Sequence, residues 1–204
     1  MGSRRAAGSR RVLAAALTGA LALTIAGCAN DPLAEQYRAG DNKGYIAADG
    51  RWQEIPEADR GEPVQFAGVT ENGEKFSSAD VAGDVVVVNF WYAACGPCRV
   101  EAADLEAVWQ EYQGENVSFV GVNTLDQADT AQAFADTYSI TYPSLIDVND
   151  GSVKLAFATA TPINATPTTL VLDAQGRVAA RIIGQLEDAS ILSTLVGDAL
   201  SEGA

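Results

Sequence analysis

Cys95 and Cys98 are separated by Gly96 and Pro97, where a run of β-branched and aromatic residues, Val85 to Trp91, gives way to a helical pattern. A thiol at the start of a helix meets unpaired backbone N–H groups and the positive end of the macrodipole, and both favour the thiolate. Pro97 suits the first helical turn, where a missing N–H costs nothing, and Gly96 lets the chain turn tightly. Cys98, three residues on, lies within bridging distance of Cys95, so a disulfide there opens and closes with little backbone motion. That pattern predicts thiol–disulfide exchange. The alternatives are a structural disulfide, a zinc site and a pair of inert core cysteines. A four-residue loop constrains the unfolded chain little, and zinc needs two further soft ligands.

The rest of the composition narrows the chemistry. The 204 residues include no histidine, three cysteines and one methionine, the initiator. Without imidazole there is no Ser–His or Cys–His pair and no His-ligated zinc or haem. A formal charge of -14 is the wrong sign for nucleic acid. No cofactor and no metal are expected, which leaves carboxylate, thiol or binding chemistry.

The elements that must position the cysteines can be read from residue 61 onward. Val64 to Val69 alternates as a strand, Asn72-Gly73 marks a turn, and Lys75-Phe76 returns as a second strand. Val85 to Trp91 is apolar almost throughout, the pattern of a central strand buried on both faces. A helix follows over Cys98 to Gln113, then a strand over Val117–Val122, a helix over Ala128–Tyr138 and a short strand over Ser144–Ile146. Thr168–Leu172 and Arg177–Ile183 form a hairpin through Asp173-Ala174-Gln175-Gly176, and Glu187–Leu200 closes the chain as a helix. Two β-α units, a hairpin and a last helix predict an α/β fold, a central mixed sheet with helices on both faces.

Ahead of this body, Arg4, Arg5, Arg10 and Arg11 precede an uncharged run from Val12 to Ala26. Fifteen residues make about 22 Å of helix, short of a ~30 Å hydrocarbon core, so the run predicts a secretory signal over residues 1–27. Ser9 to Leu13 also resembles a twin-arginine export signal. The run ends in Ile25-Ala26-Gly27-Cys28, which resembles a bacterial lipobox and implies cleavage before Cys28 with lipid on its thiol. Removing residues 1–27 takes away four arginines and no acid, leaving a formal charge of -18. Residues 28–60 read as the lipidated cysteine and a tether, with a short hairpin around Gly50 (Tyr45-Ile46 against Trp52–Ile55) as the alternative. Residues 61–204 are the folded domain.

The stretch Asn89-Phe90-Trp91-Tyr92-Ala93-Ala94-Cys95-Gly96-Pro97-Cys98-Arg99 resembles the active-site segment of thioredoxin-fold proteins, and more narrowly of the TlpA/ResA-like membrane-anchored oxidoreductases. Ala165-Thr166-Pro167-Thr168 to Asp173 is the second marker; Pro167 matches the family's cis proline and Pro162 does not. The resemblance covers residues 61–204 and implies a thioredoxin fold with an N-terminal β-hairpin extension and a β-α insertion. It makes Cys95 the nucleophile, Cys98 the resolving thiol, and Glu101 an acid that exchanges a proton with Cys98. A solvated glutamate near a helix start is the competing reading of Glu101. Trp91, Gly96, Pro97, Thr166 and Pro167 are assigned to the substrate-facing surface. Asn89 stands where thioredoxins proper carry a buried Asp, and Ala94 where Trp is common, which opens the rim.

The function this implies is an extracytoplasmic, lipid-anchored reductant of disulfides in exported proteins of a bacterium. An apocytochrome c awaiting haem is the expected client, and a membrane protein the expected electron donor. The alternatives are an oxidant or isomerase for exported proteins, a peroxiredoxin-like peroxidase, and a redox-inactive docking module.

Overall fold

The computed structural model describes residues 50–203. The signal segment 1–27, Cys28 and the Tyr45–Ile46 arm of the hairpin considered around Gly50 lie outside the described residues.

In chain order the first strands are Trp52–Glu54 (β1), Ala67–Val69 (β2), Lys75–Ser77 (β3) and Val85–Trp91 (β4). The helix Gly96–Glu111 (α1) leads to Val117–Asn123 (β5), Ala128–Tyr138 (α2), Ser144–Ile146 (β6) and the short Ser152–Ala156 (α3). Thr168–Leu172 (β7), Val178–Ile183 (β8) and Ala189–Glu202 (α4) complete the fold. Six strands form one sheet in the order β1-β8-β7-β4-β5-β6. β4, β5 and β6 are parallel to one another; β7, β8 and β1 are added antiparallel.

β4 is central, and all seven of its residues are buried. Because side chains alternate along a strand, Val85, Val87, Asn89 and Trp91 share one face while Val86, Val88 and Phe90 share the other. β4, β5 and β6 succeed one another in one direction, so right-handed crossovers put α1 and α2 on the same face. Cys98 and Ala102 of α1 accordingly pack with Ala131 and Phe134 of α2 around Trp91. Leu192, Leu195 and Val196 of α4 join Val85 and Val87 on that side. The opposite face is covered by Val64, Phe66, Val153 and Phe157, from the segment before β2 and from around α3. Neither cover shows in the sequence as a helix of ordinary length.

The β2–β3 hairpin turns at Gly73, whose φ of 80° is open to glycine. It protects the β6 edge: Glu71 N–H donates to Ser144 O (2.9 Å), and Glu71 Oε2 accepts from Ser144 N–H (2.8 Å). The strand expected from Val64 begins only at Ala67. Val64 and Phe66 are buried, but Val64 N–H bonds Gly176 O in the β7–β8 turn and not a ladder partner.

The boundary drawn at residue 61 is corrected. β1 pairs antiparallel with β8, Ile55 N–H donates to Ala179 O (2.7 Å), and Arg60 is held by Asp173 and Glu202. Residues 52–60, placed in the tether by the first reading of the sequence, are therefore part of the folded unit, and the extended Trp52–Ile55 segment of the alternative reading is present with β8 as its partner. A three-residue strand shows no period; only its pairing, which satisfies the outer edge of β8, makes it one.

Candidate functional site

The end of β4 and the start of α1 bring the two cysteines together. Cys95 is the N-cap of α1 and Pro97 lies in its first turn. Cys95 and Cys98 are joined as a disulfide with a Cα–Cα distance of 5.3 Å, and each residue is 3% exposed. The Cys98 backbone N–H points at Cys95 Sγ (3.2 Å). That donor, with the helix N-terminus behind it, stabilises negative charge on Cys95 when the bond opens. The Thr166–Pro167 peptide is cis, and the Thr166 carbonyl oxygen lies 4.0 Å from Cys95 Sγ. Gly96, Pro97 and Ala94 are exposed, and Thr166 is half-buried. Beside them Tyr92, Thr124, Leu125, Lys154 and Thr166 border an open groove of about 490 Å³.

Glu101 lies on α1 facing the sheet, 0% exposed. The strand period that turns Asn89 toward α1 places its Nδ2 against Glu101 Oε1 (3.0 Å) and Thr169 Oγ1 (2.9 Å). Leu186 N–H donates to Glu101 Oε2 (2.8 Å). Burial pushes the carboxyl up from its ordinary 4.5 to about 7, and Asp104 adds to the rise, while the Leu186 and Asn89 donors oppose it. The solvated-surface reading of Glu101 is excluded by this burial. Its two oxygens engage Asn89 and Leu186, and a water-sized cavity bordered by Asn89, Cys98, Ala102 and Tyr142 lies along the same face. Burial also raises the Tyr142 phenol, reinforced by the charges of Glu101 and Glu106, so it stays neutral.

A helix-capping disulfide beside a cis proline and a buried carboxyl is arranged for thiol–disulfide exchange. The family model for the AhpC/TSA family matches residues 61–181. The chain belongs to the AhpC/TSA family. Among curated relatives it is similar to the thioredoxin-like protein YneN of Bacillus subtilis, 36% identical over 114 residues, covering 54% of this chain and 63% of YneN. The thiol-disulfide oxidoreductase ResA of Halalkalibacterium halodurans is 30% identical over 115 residues, covering 56% of this chain and 62% of ResA. The match thus spans less than two thirds of these relatives' length. Among solved structures, a thioredoxin-family thiol:disulfide interchange protein from Chlorobium tepidum superposes with a TM-score of 0.64 at 30% identity, covering 71% of this chain and 99% of that one. The fold is that of thioredoxin, and the kinship is ResA-like.

Within this AhpC/TSA-family site one assignment is corrected. Trp91, placed on the substrate-facing surface by resemblance, is 5% exposed. It shares the α1 face of β4, where its ring packs on Phe134 (4.3 Å between centroids) and its Nε1–H donates to Ser144 Oγ (3.2 Å). It supports the disulfide from beneath.

Sequence reasoning missed the groups that brace the Tyr92–Cys95 turn. Asp126 Oδ2 accepts from Ala93 N–H (2.6 Å) and from Asn123 Nδ2 (3.0 Å), while Asn123 is fully buried. Thr124 N–H donates to Trp91 O (3.1 Å). On the other side Arg99 donates from Nη2 to Ala94 O (2.8 Å) and from Nε to Cys95 O (3.4 Å). The available signal was the polar run Asn123-Thr124-Leu125-Asp126 at the end of β5, which in a parallel sheet must lie beside the end of β4.

Proposed function

We propose that the protein is an extracytoplasmic, lipid-anchored thiol–disulfide oxidoreductase that reduces disulfides in exported proteins. The cysteine pair of an apocytochrome c, in cytochrome c maturation, is its proposed client. The observation that carries the reading is the Cys95–Cys98 disulfide itself, capping α1 with the Thr166 carbonyl against Cys95 and a groove alongside. The names of the relatives support it, and the signal and lipobox patterns of residues 1–28 support the location.

In the reduced state Cys95 Sγ attacks one sulfur of the client disulfide; a mixed disulfide forms and the other client sulfur leaves as a thiol. Cys98 then attacks Cys95 Sγ, the Cys95–Cys98 bond re-forms, and the second client thiol departs. The client gains two electrons and two protons. An extended client segment in the groove pairs with the backbone at Thr166, as an added strand would. Glu101 supplies a carboxyl titrating near neutrality one helical turn from Cys98. A membrane protein dithiol restores the reduced state. The Gly-Pro spacer, like that of the reducing thioredoxins, supports this direction over the oxidant or isomerase.

The peroxidase alternative makes Cys98 the peroxide-attacking thiol and calls for Thr or Ser three residues before it, with an arginine at the sulfur. Here that position is Cys95, and Arg99 is turned to backbone carbonyls. In the test, Cys98→Ser traps mixed disulfides with exported clients and Cys95→Ser abolishes turnover. A Cys98→Ser chain that captures nothing, while the wild type stays active in cells, contradicts the two-cysteine mechanism.

A further inference from the structure

The groove beside the disulfide does not end there. It shares Asp147, Asn149 and Asp150 with a larger open groove of about 830 Å³, so the two meet on the loop between β6 and α3. The second groove is lined by the hairpin residues Ala67, Val69 and Phe76 together with Gln127, Ile146 and Ser152. Both grooves take residues that follow β5 and β6, the carboxyl ends of parallel strands, where open sheets receive their ligands. The hairpin wall is held in place. Besides the two Glu71–Ser144 bonds, Gln132 Nε2 of α2 donates to Glu71 O (2.7 Å). A preformed wall adds little ordering cost when something binds against it.

Ser78 N–H donates to Phe66 O and Thr70 N–H to Glu74 O, so by alternation Ala67 and Val69 turn their backbone groups away from β3. On that side β2 meets β6 at the bridge Thr70–Leu145, and no described strand pairs with Ala67 there. Such an edge accepts an extended polypeptide as an added strand. We infer that the client site continues from the disulfide into a second subsite beside the β2–β3 hairpin, which takes an extended, cationic stretch of the client about four to six residues from its cysteine. The inference rests on the proposed reduction of client disulfides. From β4 through β5 and β6 to β2 is three strand spacings of about 4.8 Å, and an extended chain rises about 3.3 Å per residue.

Charge selects the occupant. The carboxylates lining the two grooves are Glu71, Asp80, Asp147 and Asp150, and the cations are Lys75 and Lys154. Neutral donors meet each carboxylate. Glu71 accepts from Ser144 N–H and the Asn72 amide, and Asp80 from Ser77 N–H. Asp147 accepts from the backbone N–H of Val153 and Lys154, and Asp150 from Ser152 N–H. Among the described residues neither these acids nor the two lysines form an ion pair. Four negative charges against two positive leave the joined groove anionic, so a lysine or arginine of the client gains there and an acidic side chain is repelled. Asp80 and Asp150 are exposed, within reach of such a cation. Val69, 49% exposed in the same groove, gives the aliphatic stem of that side chain an apolar surface.

The test measures how fast a peptide disulfide oxidises the reduced chain. One peptide is a short Cys-x-x-Cys core; the others extend it by about six residues on the N-terminal or the C-terminal side, with either two lysines or two glutamates at the far end. The lysine extension on one side should raise the rate at least fivefold over the core. The lysine extension on the other side, of equal charge, should not, and neither should the glutamate extensions. Val69→Lys, which sets a like charge in the far groove, should cut the gain at least threefold. No gain from either lysine extension overturns the subsite alone. Equal gains from both sides, or a gain that survives Val69→Lys, reflect the charge of the whole chain and overturn it too. A core peptide that leaves Cys95 and Cys98 reduced overturns the proposed reduction of client disulfides, and the subsite with it.

Discussion

Replacing Glu101 with Gln should remove one identifiable component of the pH dependence of stability. The carboxyl is fully buried and titrates at about 7 in place of its ordinary 4.5. Because the folded state holds the proton more tightly than the unfolded chain, this group costs nothing below pH 4.5. As pH rises the unfolded chain ionises first, and folding stability falls until the folded carboxyl has also ionised, near pH 7. At 1.36 kcal/mol per pH unit, the full cost is about 3 kcal/mol above that pH. Glutamine fits the same space. Its Oε1 can accept from Leu186 N–H, and a flipped Asn89 amide can accept from its Nε2 while taking the Thr169 hydroxyl proton on the same oxygen. Urea denaturation of the oxidised wild type and Glu101→Gln, at intervals from pH 4.5 to 8.5, isolates the effect because other titrating groups cancel in the difference. The variant should gain on the wild type with rising pH, by about 3 kcal/mol overall, most of it before pH 7. Parallel curves would refute the buried-carboxyl argument, and with it the proposed proton exchange with Cys98.

Asp126→Ala removes the acceptor for Ala93 N–H and should slow reduction of a disulfide peptide about fivefold, the equivalent of ~1 kcal/mol. Asp126→Asn keeps an oxygen there and should restore the rate; a variant as slow as alanine would show that charge, not the brace, matters. Arg60→Ala breaks a pair in which both side chains are 2% exposed and should cost about 3 kcal/mol in denaturant melts. A loss below 1 kcal/mol would mean that Arg177 suffices for Asp173. Gly121→Ala would drive a Cβ into Ser144 Oγ and Trp91 Nε1 and should cost about 1–3 kcal/mol, with a blunted Trp91–Ser144 contact visible in tryptophan fluorescence. An unchanged melt would show that β5 and β6 separate without penalty.

What the sequence disclosed follows the range of the interactions involved. β4, α2, β6 and β7 could be bounded because a buried strand, a helical period and a turn signal are each local. The disulfide was legible for the same reason, its two residues being one helical turn apart. β1 was legible only as one arm of an alternative hairpin at Trp52–Ile55; its partner there, β8, is over a hundred positions away and could not be read. α3, five residues long, is below the length at which a 3.6 period can be seen. The burial of Glu101 depends on Asn89, Thr169 and Leu186, which are 12 to 85 positions from their partners and meet only through the sheet. Trp91 was misplaced because resemblance carries residue types, whereas the strand period decides which face each takes.

Whether the Cys95–Cys98 pair gives or takes electrons is decided by its reduction potential, fixed by equilibrating the oxidised and reduced domain against defined thiol buffers. A value near that of thioredoxin, about −270 mV, is predicted for a reductant of exported proteins. A value near about −120 mV, that of a strong oxidant, would contradict the account and make the protein a donor of disulfides.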